Sequence, residues 1–279
     1  MQKENLISVG DFWDSLRYQD VHLRILNFEN TNKKNLSNQK IHDLLMKTIT
    51  FHDIFVFPES TVCYPKGRKF YRARKVFQAD IHSAQDLVSG WTNKDFWEPP
   101  ASSVSQIGRL NYKNESMLYL ANTFPLCLLE GRAKENEFYV ISQFINRNEI
   151  NLTPIGLPYS VADMPPLSDH ATIIGNQFVD FFRREFSRDV GKGTEWLYQS
   201  SNVIAKDFFD LPEPVSHGWI YPSMQDHNGL NICMRPHLGH EDFVLDVSIL
   251  IQMISIEGNN VQFRTIGAKK KDSNVFILY

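Results

Sequence analysis

The chain has 279 residues, 42% of them hydrophobic and 22% charged, with a formal net charge of −3. That balance describes an ordinary globular protein long enough to bury a sizeable core, and it excludes the strongly basic footprint of a nucleic-acid-binding domain. No stretch approaches the about 18 uninterrupted apolar residues of a membrane span, and the opening MQKENLISVGDFW lacks the apolar segment of a secretory leader, so the expected compartment is a reducing cytoplasm.

Residues 1–50 read as helical. NLISVGDFWDSLRYQDVHLRILNF places apolar residues at mixed three- and four-residue intervals, a polar break follows, and a second helix is expected over about Ile41–Ile49. This part, taken as 1–54, reads as a helical appendage suited to packing or to contact with a second copy. From Phe51 the texture turns aromatic and β-branched. HDIFVFPES and RKFYRARKVF are expected strands. Ala79–Gln106, with Trp91, Trp97 and Pro99-Pro100, reads as a long loop with a helical turn at most, its tryptophans packed or lining the mouth of a cleft.

MLYLA (117–121) reads as a buried strand. Asn122 or Thr123 can then cap a helix over about Phe124–Ala133, with Pro125 in its first turn and Glu130 near its end. FYVISQFI (138–145) is a further strand, and the Pro- and Gly-rich stretch 151–166 a loop. Asp169–Arg188 is an expected helix with Ile173, Phe178, Phe181, Phe182 and Phe186 on one stripe. Thr194–Phe209 is another helix, and WIYPS (219–223) and LNICMRP (230–236) are strands. Beyond Phe243 two or three strands are expected, with Gly258-Asn259-Asn260 at a hairpin turn. The sum is an α+β chain of about eight strands and four or five helices.

Cys63, Cys127 and Cys233 form no CxxC pair, and the histidines show no HExxH, so neither a disulfide framework nor a zinc site is indicated. Cys127 and Cys233 read as buried thiols. There is no GxGxxG after a first strand and no GxxxxGK[ST], which leaves a Rossmann enzyme and a P-loop NTPase unsupported.

Four clusters stand out in order: FYRAR (70–74); GRLN (108–111), preceded by WEPP (97–100); LYLANTFPLCLLE (118–130); and GWIYPS (218–223), followed by GLNICM (229–234). Together they resemble the RES-domain toxin family, whose characterised members consume NAD⁺ and are related in fold to ADP-ribosyltransferases. The resemblance covers roughly residues 65–240. It implies an ADP-ribosyltransferase-like α+β domain over 55–279, with a split β-sheet core, flanking helices and the helical N-terminal appendage at 1–54.

Residue by residue, the resemblance implies that Arg72 matches the arginine of the opening YR element and Arg109 that of GR-x-N. Tyr119 matches the tyrosine of the LYLA strand, Glu130 the glutamate closing the next helix, and Ser223 the serine after the GxxYPS strand. Two features depart from the pattern. The interval from Arg72 to Arg109 is long, and Gly131-Arg132 follows Glu130 where an apolar residue is usual, so the helix is free to stop early.

The residue types suit the implied chemistry. Scission of the nicotinamide–ribose bond passes through an oxocarbenium-like state, which a carboxylate beneath the sugar stabilises. Glu130 is the candidate, expected in a pocket rather than at a wet helix rim. Arg72 and Arg109 offer bidentate forks for the diphosphate, though arginine is more often a plain surface residue. Tyr119 offers a ring to stack on nicotinamide or is simply a core aromatic. Ser223 offers a hydroxyl to ribose or carboxamide, or is a turn residue.

NAD⁺ would be a substrate, and neither a cofactor nor a metal is required, because nicotinamide leaves from a cationic ring. The family resemblance further implies an antitoxin or immunity partner that plugs the cleft. Transfer of ADP-ribose to a protein is the rival activity; the second acidic residue it calls for, two positions before Glu130, is Leu128 here. A non-catalytic nucleotide-binding module is the rival outside enzymology.

Overall fold

A computed structural model describes residues 7–55, 60–76, 88, 91–158, 166–191, 193–226, 228–270 and 276–278. Among them, the first three helices are α1 (Val9–Asp14), α2 (Tyr18–Asn30) and α3 (Asn38–Ile49), followed by β1 (Val62–Tyr64), β2 (Lys69–Val76), β3 (Leu118–Ala121) and α4 (Phe124–Glu130). Next come β4 (Phe138–Asn146), β5 (Ile150–Pro154), α5 (Asp169–Phe186), α6 (Tyr198–Phe208), β6 (Gly218–Pro222) and β7 (Leu230–Met234). The C-terminal part holds α7 (Pro236–Asp242), β8 (Phe243–Glu257), β9 (Asn260–Lys270) and β10 (Ile277–Leu278).

The chain divides into two compact units. One comprises Met1–Thr61, Ile107–Tyr112 and Pro154–Asp210, the other Val62–Gln106, Lys113–Thr153 and Leu211–Tyr279. The helical unit is thus larger than an N-terminal appendage. The reason lies in its packing: α1–α3 bury Phe12, Trp13, Ile25, Phe28 and Leu45 against α5 and α6 rather than standing apart. Ser8, Ser37 and Ser168 cap α1, α3 and α5 by accepting backbone N–H bonds at the helix starts. Phe28 meets Phe181 edge-on, with ring centroids 5.3 Å apart. On α5, Phe178, Phe181, Phe182 and Phe186 are buried as expected, while Ile173 is 49% exposed and its neighbour Ile174 takes its place in the apolar stripe.

The second unit is built on a ten-stranded sheet in the order β1-β5-β6-β7-β3-β2-β4-β8-β9-β10. The mixed α+β class is as expected. The strands, however, hydrogen-bond into one continuous sheet. Long β4, β8 and β9 carry the pairing onward across register shifts at Gln143/Phe144, Leu250/Ile251 and Met253/Ser255, where a bulged strand bends instead of breaking.

Several elements differ from the sequence reading. HDIFVFPES forms only an isolated Phe51–Ile54 bridge around a tight turn in which His52 and Asp53 take φ of 53° and 59°; Val56–Glu59 lie outside the described residues. β5 replaces the start of the expected 151–166 loop, because Ile150 and Leu152 are fully buried in the sheet. α7 begins where a strand was expected to end, with Pro236 in its first turn. The hairpin turn, by contrast, falls where expected, at Gly258, with φ of 55°, between paired Glu257 and Asn260. In the 79–106 loop the described part forms short 3-10 turns at Asn93–Phe96 and Ala101–Ser103; residues 79–87 and 89–90 lie outside the description. No helix among the described residues is long and apolar enough to cross a membrane.

Candidate functional site

Strand β3 sits between β7 and β2. The chain leaves it at Asn122, and Thr123 caps α4 by accepting a bond from the Leu126 N–H, with Pro125 in the first turn. Leu126, Cys127 and Leu128 press this short helix onto Ala121, Tyr139, Ile141, Ile251 and Met253. Burying each of these side chains contributes about 1.5–3 kcal/mol, enough to hold a helix of about two turns that would not persist alone. The helix stops at Glu130 because Arg132, at φ of 48°, turns the backbone left-handed.

Glu130 is therefore exposed at a helix end, not enclosed in the expected pocket. One of its oxygens is nevertheless fixed. Ser223 Oγ donates to Glu130 Oε1 at 2.5 Å, and Asn231 Nδ2 donates to the same atom at 2.8 Å. Ser223 follows β6, is 6% exposed, and accepts the backbone N–H groups of Gln225 and Asp226 at 2.9 and 3.3 Å. These two bonds orient the hydroxyl so that its proton points at the carboxylate. Asn231 sits on β7, 7% exposed, opposite Ala121 on one side and Tyr221 on the other. Glu130 Oε2 has no hydrogen-bond partner among the described residues, which leaves one carboxylate oxygen free on a fixed axis.

The structure thus brings together Glu130 and Ser223, two of the residues that the resemblance singles out, and adds Asn231, which sequence reasoning did not single out. Its signal was present: an amide inside the otherwise apolar strand LNICM requires a polar partner. Tyr119 shares this face of the sheet. It lies opposite Cys233, two positions from Ala121 on β3.

Arg72 does not join them. Tyr71 and Ala73 pack on the α4 side of β2, so strand alternation sends Arg72 and Arg74 to the opposite face. There Arg72 Nη1 reaches the Phe96 carbonyl at 3.5 Å, and Arg74 ion-pairs with Asp95 and lies over the Trp91 ring. Burial first, then the neighbouring Arg74 charge, lower the Arg72 guanidinium to about 10, with Glu98 acting in the other direction. On that face Trp97 stacks on His240 at 4.2 Å and meets Phe144 at 4.8 Å, a packing role. His240 also bonds Glu98 at 2.9 Å.

Arg109 belongs to the helical unit. Its Nη2 donates to the Arg188 carbonyl at 3.3 Å and its guanidinium lies over the Tyr198 ring, while Ser201 Oγ donates to its carbonyl at 2.8 Å. Nη1 is buried with no partner among the described residues.

Cys127 and Cys233 are buried, as expected, and burial pushes the Cys127 thiol well above the ordinary range, which makes it a packing residue rather than a nucleophile. No group of three or more His, Cys, Asp or Glu side chains among the described residues is placed to hold a metal ion. No protein-family model, curated protein or solved structure matches the chain.

Proposed function

We propose that this chain cleaves the nicotinamide–ribose bond of NAD⁺ as a hydrolase or phosphorylase, with Glu130 as the carboxylate that faces the anomeric carbon. The observation that carries the reading is the fixed oxygen. Ser223 and Asn231 both donate to Glu130 Oε1, and Oε2 is left to the substrate. The fold it belongs to is, on this reading, ADP-ribosyltransferase-like.

The chemistry follows from that arrangement. The C1′–N bond breaks and its electron pair leaves with nicotinamide, whose ring becomes neutral. Positive charge develops on the ribose at C1′, and the free Glu130 oxygen stabilises it only as it forms, which is the condition for raising kcat. Water or phosphate then bonds to C1′ and releases its proton. The donors on Oε1 keep the carboxylate from rotating, so orientation is set before substrate arrives. Growth arrest by NAD⁺ depletion, relieved by a separate antitoxin chain, belongs to the same proposal.

The test is to express wild type and Glu130→Gln from a tightly controlled promoter in a bacterium and to follow cellular NAD⁺ and growth. Wild type should deplete NAD⁺ and stop growth, and the variant should do neither at equal protein level. Unchanged NAD⁺ in cells holding folded wild type overturns the reading.

A further inference from the structure

A cleft of about 470 Å³ opens in the sheet unit where β2 begins and β3 ends, a size that suits a small-molecule site. Its polar lining is Tyr64, Arg68, Lys69, Tyr71 and Asn122, with no acidic residue. Arg68 and Lys69 are exposed, and neither side chain has a hydrogen bond or ion pair among the described residues. The Asn122 side-chain Oδ1 accepts the Leu230 N–H at 3.0 Å, which leaves Nδ2 free to donate. Among the described residues the cleft thus offers two cations, one amide donor and two phenol hydroxyls, and no carboxylate.

The turn that presents the two cations is held rigidly. Fully buried Asn146 donates from Nδ2 to the carbonyls of Tyr64, Pro65 and Asn148 at 3.3, 3.0 and 2.7 Å. Its Oδ1 accepts the Arg68 N–H at 2.6 Å, and Gly67 turns the chain at φ of 89°. A ligand therefore meets cations whose backbone is already ordered, and little ordering entropy is lost on binding. Lys69 and Tyr71 lie on the α4 side of β2, the side on which Asn231 holds Glu130. Asn122, through both its N–H and its side chain, grips Leu230, the neighbour of Asn231.

We propose that this cleft takes the diphosphate of a dinucleotide, with Arg68 and Lys69 as its grips and Asn122 as an amide donor. The proposal rests on the reading of Glu130 given above, and it moves the diphosphate contact from Arg72 to residues to which the resemblance assigns no role. Guanidinium and ammonium groups bind phosphate oxygens by charge-assisted hydrogen bonds, and the Tyr64 and Tyr71 rings offer flat walls to the rest of the nucleotide.

The experiment is calorimetric titration of ADP-ribose and of inorganic pyrophosphate into wild type, Arg68→Ala, Lys69→Ala and the exposed control Lys113→Ala, with NAD⁺ turnover measured on all four. Wild type should bind both probes. Arg68→Ala and Lys69→Ala should each lose about tenfold in Kd, the loss of one charge-assisted bond. The same two variants should raise KM for NAD⁺ by a like factor with kcat held, and Lys113→Ala should change neither. Binding by wild type that both cleft variants retain in full overturns the cleft and leaves the Glu130 reading standing. Cleft-dependent binding of both probes without nicotinamide release supports the cleft and sinks the Glu130 reading. Absence of binding to either probe overturns the cleft.

Discussion

Replacing Asn231 by Asp changes one NH₂ to an oxygen and leaves shape and backbone alone. In the wild type that NH₂ donates to Glu130 Oε1 at 2.8 Å. In Asn231→Asp a second carboxylate takes its place, and two carboxylates this close share a proton instead of both ionising. Two unit charges about 4 Å apart interact by about 1 kcal/mol in water and about 4 kcal/mol at an effective dielectric constant of 20. The pair lies between these limits, because Asn231 is 7% exposed and Glu130 is open to solvent. At 1.36 kcal/mol per pH unit, the acidic limb of the rate profile should move to higher pH by about one to three units. The assay is nicotinamide release from NAD⁺ across pH 4–9 for both proteins. If the variant's profile overlies that of wild type, Asn231 does not act on the reacting carboxylate and the argument fails.

Three further outcomes are expected. Ser223→Ala removes a hydrogen bond to a charged group, worth about 1.5–3 kcal/mol, and should lower kcat about ten- to a hundredfold with a smaller change in KM; an unchanged kcat would contradict the orienting role. Gly175→Ala would place a Cβ 2.4 Å from Trp13 Cζ3 where α1 crosses α5. The displacement of fully buried Trp13 costs about 1–3 kcal/mol and exceeds the about 1 kcal/mol gained in helix propensity, so Tm should fall by several degrees; a rise would show that the crossing relaxes freely. Burial holds the Glu185 carboxyl above its ordinary value against the opposing pull of Arg188 and Lys33. A raised folded pKa gives stability that is fully present below the ordinary carboxylate pKa and is lost as pH rises through the folded one. Urea midpoints of wild type should therefore decline relative to Glu185→Gln between pH 4 and 8, and a wild-type midpoint that rises relative to the variant in that interval would contradict the assignment.

Much of the fold was legible because its signals are local. The stripe of α5, the Thr123–Pro125 start of α4 and the apolar runs of β3, β4, β6 and β7 each follow from spacing and capping chemistry. The meeting of Glu130 with Ser223 was not legible, since 93 positions separate them; the family resemblance singles out each residue but not their contact. Asn231 escaped notice because its role depends on the register of β7 against β3, which no local pattern sets. Arg72 lies apart from Glu130 for a reason already present in the sequence. The alternation in Phe70-Tyr71-Arg72-Ala73-Arg74 assigns Tyr71 and Ala73 to one face and both arginines to the other, and a motif match does not register that pleat. The Arg68–Lys69 cleft was hidden because RKFYRARKVF reads only as a strand, and the Asn146 clamp that fixes the turn before it comes from a residue 78 positions away.

The most direct measurement is the appearance of free nicotinamide when purified protein is mixed with NAD⁺, followed by chromatography for wild type and Glu130→Gln at matched folded concentration. The account predicts multiple turnovers by wild type and a loss of about a hundredfold or more in the variant, the range seen when one transition-state charge stabiliser is removed. Equal release by the two proteins, or none by wild type, would contradict it.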